Sequence, residues 1–319
     1  MKFLLTMTVF LLLVPCLASE AQKGKRFHLE LYGGFAGISA DDLNSLTDYD
    51  RSVFDYLHGY YSGQNSMYHP IDPVEINGGF KSLTHLWSAG GRLRFTLSKN
   101  RRGPSISLGL EYSQDAIGSG ASLEFEYDDF YQGRYSIRRT TDPQRIWAET
   151  FTPMLGFHYP VIDRGRFSSE IHVAVGVVLA SCGTFKANYY RKSETTGYEY
   201  AWETLHKISG TGTGAALEAG LRIQLEILKD LGLFVEGGYT IRKVENISGE
   251  GYFKENDRDS NQDGYSTVST WEGDWVLVSD SYGRYPQVSW SGISGSSQDD
   301  FRLDLSTFYL RIGFSWRLF

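Results

Sequence analysis

Between residues 257 and 266 the sequence reads DRDSNQDGYS, and its oxygen-bearing side chains recur at alternate positions: Asp257, Asp259, Asn261 and Asp263, with Gly264 next. Carboxylates and an amide at that spacing can wrap oxygen ligands around a calcium ion, the glycine permitting a sharp turn. The bidentate glutamate that such a loop carries in twelfth place from Asp259 is missing, since Thr270 stands there and Glu272 follows two residues later. A solvated acidic loop has the same composition. The expectation is a chain without a bound cofactor, with calcium in this last long loop as the one ion the sequence offers a motif for.

Two other sets of residues have chemical potential. His58 and His69 stand near Asp55 and Asp72, and Asp41 adjoins Asp42, which are the residue types of a hydrolytic site. Such a site needs a base oriented by an acid, yet no Asp-x-His element occurs and no serine context singles out a nucleophile. The chain is expected not to be an enzyme. The third set is Arg92, Arg94, Glu111, Glu170, Glu218, Arg222, Glu236, Arg242 and Arg311, accompanied by His172 and Glu226, each set between large apolar residues at every second position.

Alternation with a period of two marks a strand whose faces meet different surroundings. Eight segments show it, at about 27–38, 83–97, 105–112, 151–161, 167–181, 215–227, 233–244 and 308–319. In the last, FYLRIGFSWRLF, the residues Phe308, Leu310, Ile312, Phe314, Trp316 and Leu318 oppose Tyr309, Arg311, Gly313, Ser315 and Arg317. Just upstream Phe301, Leu303 and Leu305 take the other parity, and a bulge near Ser306 would explain the change. The connections alternate strictly. SKNRRGP, IDRGR and KDLG are tight polar turns, whereas about 39–82, 113–150, 182–214 and 245–300 are long, and GDWVLVSDSYG (273–283) has the makings of a further hairpin.

At the N-terminus Met1 and Lys2 precede an apolar run from Phe3 to Val14 and then the small residues up to Ala21. That is the pattern of a secretory signal peptide over 1–21, followed by a mature domain over 22–319. Cleavage after Ala18 is the neighbouring alternative, and Pro15 directly before Cys16 does not suit a lipoprotein signal. The mature chain then keeps Cys182 alone and has no disulfide to make. Aromatic residues make up 15% of the sequence, with 35 glycines and 21 tyrosines, which favours strands and turns. No later stretch is apolar enough for a membrane helix, but a membrane strand needs only about 9–11 alternating residues. The net charge is −7, and residues 245–300 hold eleven acids against three bases. Nucleic acid is therefore not an expected partner.

Two-faced strands, alternating short and long connections and a last strand that ends on an aromatic residue together resemble the small outer-membrane β-barrels of Gram-negative bacteria, of the OmpA, OmpX and OmpW types. The resemblance covers the mature chain. It implies an all-β, closed antiparallel transmembrane barrel of about eight strands, with ten as the alternative. It also implies short periplasmic turns, long extracellular loops and no peptidoglycan-binding domain. The third set of residues becomes a charge network in the lumen, where burial is tolerable only if the charges pair or stay hydrated. The partners implied are outer-membrane lipid and, through the C-terminal strand, the barrel assembly machinery. A structural or ligand-binding surface role through tyrosine-rich extracellular loops comes first, a narrow porin-like channel for small solutes second, and an enzyme last.

Overall fold

The computed structural model describes residues 27–63, 69–97, 103–129, 133–195, 197–260, 262–289 and 297–318; the expected signal peptide and Phe319 lie outside them. The first strand, β1 (Phe27–Gly37), is followed by a helix, α1 (Asp41–Ser62), and two short strands, β2 (His69–Pro70) and β3 (Glu75–Gly79). Next come β4 (His85–Thr96), β5 (Ser105–Asp129), β6 (Gly133–Arg164), β7 (Phe167–Glu194), β8 (Glu199–Leu228) and β9 (Leu231–Asp259). The chain continues through β10 (Gln262–Asp280), β11 (Gly283–Val288), β12 (Ser297–Asp300) and β13 (Leu303–Asp304) to β14 (Thr307–Arg317).

Among the described residues the sheet therefore holds fourteen strands, which corrects the expected count of eight or ten. Eight of them form a circuit of antiparallel neighbours, β1–β4–β5–β6–β7–β8–β9–β14 and back to β1, closed because β9 pairs with both β8 and β14. The circuit is uneven. Strands β1, β4 and β14 stop after 11 or 12 residues, whereas β5 to β9 run for 25 to 32. Most of what reads as long loops in the sequence is thus strand. The expected hairpin around 273–283 is present as β10–β11, and it lies off the circuit.

Along each long strand the two faces exchange polarity. In the lower part of β5, Ile106 and Leu108 point outward and are exposed while Ser105, Ser107, Glu111 and Ser113 are buried inside. Higher up, Ala121, Leu123, Phe125 and Tyr127 are the buried inward residues and Glu124 and Asp128 are exposed. The same exchange explains the parity change before β14. Leu303 pairs with Val244, Asp304 with Lys243 and Thr307 with Thr240, so the register runs on without a shift and no bulge occurs near Ser306. Leu303 and Leu305 point inward like Tyr309 and Arg311; the surroundings change, and the pleat does not.

Above the circuit the five long walls enclose an apolar core covered by two devices. Helix α1 turns Leu43, Leu46 and Phe54 inward, and its first-turn Asp41 and Asp42 suit the positive end of the helix dipole. A sheetlet of β11, the end of β10 and β12 lies beside it. Trp275 and Leu277 from β10, Val288 from β11 and Phe301 join Leu43, Leu83, Ile146, Val178, Ile208 and Val244 in one cluster. We call α1 and the sheetlet the cap. The helix went unread in the sequence because its inward stripe is interrupted by Asn44, Thr47 and Asp50.

Candidate functional site

Inside the circuit, at the level where the outward face is apolar, lie five arginines and five glutamates, all buried: Arg92, Arg94, Arg222, Arg242 and Arg311 with Glu30, Glu111, Glu170, Glu218 and Glu236. Each sits on the inward parity of its strand, which is why the sequence interleaves it with apolar residues. Arg92 grips Glu236 with both nitrogens at 2.9 and 3.0 Å. Arg311 grips Glu218 at 2.7 and 2.6 Å and also reaches Glu236 at 2.9 Å and Glu111 at 2.6 Å. Arg222 meets Glu30 at 2.6 Å and Glu170 at 3.3 Å, Arg94 holds Glu170, and Arg242 holds Glu111. Through shared partners the ten charges form one connected network with no net charge.

Rings fill the remaining space. The guanidinium of Arg222 lies 3.7 Å from the Phe234 centroid and that of Arg311 lies 4.0 Å from the Tyr309 centroid. The Tyr309 hydroxyl hydrogen-bonds His172 Nε2 at 2.8 Å, and Ser107 meets His158 at 2.9 Å. All nine charged residues read from the sequence are in this network, while Glu226 sits lower, in a polar vestibule with His28, Gln224 and Arg317. Glu30 was missed, although its place on the polar face with His28 and Tyr32 was the available signal. Among the described residues, His172, Glu218 and Glu236 have metal-ligand spacing. Arg311 and Arg92 already occupy the two carboxylates, so that trio is committed to arginine.

The cap is tied down by buried polar side chains. Asn44 of α1 donates to the carbonyls of Ser39 and Leu83 at 2.6 and 2.9 Å and accepts from the Leu83 N–H at 2.7 Å. Asp50 accepts from Gln144 of β6 at 2.6 Å and from Lys186 of β7 at 3.0 Å. Burial pushes the Asp50 carboxyl up from its ordinary range, and Lys186 opposes the shift. The Tyr49 hydroxyl donates to Asp280 at 2.9 Å, joining α1 to the β10–β11 turn. His206, stacked near Trp271 between β8 and β10, is pushed down to about 4, first by burial and then by Lys186.

The stretch DRDSNQDGYS forms a hairpin, with Asp259 paired to Gln262 and Asp257 to Tyr265; Asn261 lies outside the described residues. Gly264 stands within β10, where a Cβ would collide with the Asp257 carbonyl oxygen, so it serves close strand approach and not the turn. Aromatic donors meet the acids of β9. The Tyr198 hydroxyl donates to Asp259 at 3.2 Å, Tyr200 bonds Asp257, and Trp202 Nε1 donates to Glu255 at 2.5 Å. His58 hydrogen-bonds the Val74 carbonyl at 2.9 Å, Asp55 is exposed, and His69 lies in β2, where it pairs with Asp128.

No protein-family model matches the sequence, and no curated protein matches it. Among solved structures it is similar to a major outer membrane protein from Thermus thermophilus, at 12% identity and a TM-score of 0.32, over 92% of this chain and 98% of that chain.

Proposed function

We propose that this protein is an outer-membrane β-barrel of a Gram-negative bacterium that acts at the cell surface through its cap and not as a solute channel. Support for the membrane comes from the outward belt. Leu155, Val173, Val175, Ile312 and Trp316 each expose more than half of their surface, and a water-soluble protein does not display so many large apolar residues around a whole girdle. Only a closed circuit satisfies every backbone group in hydrocarbon, and the circuit is closed at that level. The short connections after β6 and β8 then face the periplasm, and the long walls with their cap face outward.

One observation carries the functional reading: the lumen is occupied at two levels. A charge-balanced network fills the belt, and an apolar core beneath α1 and the sheetlet fills the space above it. A solute path would have to break both. The exposed parts of the cap are left as the surface on which the protein acts. Protease shaving of intact cells, combined with extraction of membranes by detergent and by carbonate, tests this. Cleavage within the cap of intact cells, and release by detergent alone, is the expected result; release by carbonate contradicts it.

A further inference from the structure

Six tyrosines of the cap form one continuous line of ring-to-ring contacts, with Tyr56 and Tyr60 exposed and the others half-buried. Tyr285 and Tyr49 lie 4.5 Å apart, Tyr49 and Tyr282 6.2 Å, Tyr282 and Tyr56 5.3 Å, Tyr56 and Tyr60 6.1 Å, and Tyr60 and Tyr61 5.1 Å. Tyr61 then packs at 4.5 Å on Phe125, a buried residue of β5, which anchors that end in the upper core. Helical spacing explains half of the line, since positions 49, 53, 56 and 60 share one face of α1. Tyr282 and Tyr285 come from the β10–β11 hairpin alongside.

Acids border the line on both sides. On α1, Asp41, Asp48 and Asp55 recur every seventh residue as an exposed stripe next to the tyrosine face. Across the line stands Asp280, which holds the Tyr49 hydroxyl. The surroundings are negative as well. Helix α1 carries five acids against one arginine, and residues 245–300 carry eleven against three, although the whole chain is only at −7. Tyr56 and Tyr60 remain strongly exposed.

We propose that this line of rings is a docking surface for a cationic polypeptide segment, whose lysine or arginine side chains lie against the tyrosine faces with carboxylates on either side. An arginine on a tyrosine face gains from the ring quadrupole, and flanking acids steer its approach. Tyr282 stands edge-on to both Tyr49 and Tyr56, at 89° and 67°. That makes a set of walled notches suited to successive side chains, where a flat sugar chain would want coplanar rings. The length of the line suits an extended segment better than a single headgroup, and a second copy of the chain would bring a cap of the same negative sign. The inference rests on the cap being the surface that acts.

The test uses the refolded full chain in detergent, with folding verified by heat-dependent gel mobility, and labelled nona-arginine as the probe. Expected are micromolar binding that weakens with salt, a loss of tenfold or more in the double variant Tyr56→Ala/Tyr282→Ala, and retention in Tyr56→Phe/Tyr282→Phe. Asp48→Asn/Asp55→Asn should flatten the salt dependence. Unchanged binding in the alanine variant overturns the proposal, because the attraction is then diffuse. Displacement of the probe by choline or by a neutral oligosaccharide, but not by unlabelled nona-arginine, also overturns it. Failure of surface cleavage on cells counts against the cell-surface reading alone, since docking is measured on purified protein.

Discussion

Glu236 shows what a single side chain does in the lumen. It accepts both nitrogens of Arg92 and one of Arg311, and it is fully buried. Deleting it removes the bidentate partner of Arg92, while Arg311 keeps Glu218 and Glu111. Breaking a buried pair from one side costs about 3–5 kcal/mol, because the remaining charge is uncompensated. Glu236→Ala should therefore lower the temperature at which the folded form loses its heat-dependent gel mobility, and Glu236→Gln should lower it less, since the amide oxygen still accepts. Equal behaviour of the two variants would mean that the carboxylate is not held as described. His206 is informative in a different way. Its folded value lies at about 4, below the ordinary 6.5, so an opened cap takes up the proton more readily than a closed one. Its stabilising contribution is present above pH 6.5 and is lost as pH falls towards 4. Asp50, with its carboxyl raised, acts with the opposite sign, so the comparison has to be internal. Fluorescence of the neighbouring tryptophans should report loosening of the cap in that window in the wild type, and a weaker pH response in His206→Phe.

At the scale of elements, the exchange of faces along β5 to β9 decides what a substitution does. Val175 on β7 and Glu124 on β5 both point outward, Val175 from the apolar belt and Glu124 from the polar wall above it. Arginine at Val175 places a charge in hydrocarbon and costs about 2–4 kcal/mol. Arginine at Glu124 stays in water and should fall within about 0.5 kcal/mol of wild type. Denaturant unfolding in detergent or lipid measures both, and equal costs would mean that the belt is not membrane. The same exchange accounts for what was legible in the sequence. The lower halves of the eight circuit strands were readable because apolar residues alternate with Arg or Glu there, as in 308–318. The upper halves have the reverse pattern, apolar inside and polar outside, and segments such as 121–129 and 185–194 read as tyrosine-rich loop. Helix α1 was hidden for the same reason that it is held in place: Asn44 and Asp50 are polar residues on its inward face, satisfied by partners far away in sequence. Of the lumen network only Glu30 escaped, although Leu29 and Leu31 flank it in β1, just as at least one apolar residue adjoins each of the other nine.

For the whole molecule, the barrel and the cap divide the work. In the proposed reading the belt holds the protein in the membrane, the network of paired charges fills its interior, and five long walls carry an acidic, tyrosine-faced cap above the membrane surface. A pore needs a continuous path through both the network and the core, and neither level offers one among the described residues. The measurement that bears most directly on this is current through a planar bilayer containing the refolded full chain, with gel mobility confirming the fold. The account expects folded protein to insert without discrete conductance steps, and Arg311→Ala to stay silent as long as it folds, because the apolar core still seals the upper level. Discrete, reproducible steps from the folded wild type, shifted by charge reversal at Arg92 or Arg311, would contradict a sealed barrel and make the lumen network the lining of a channel.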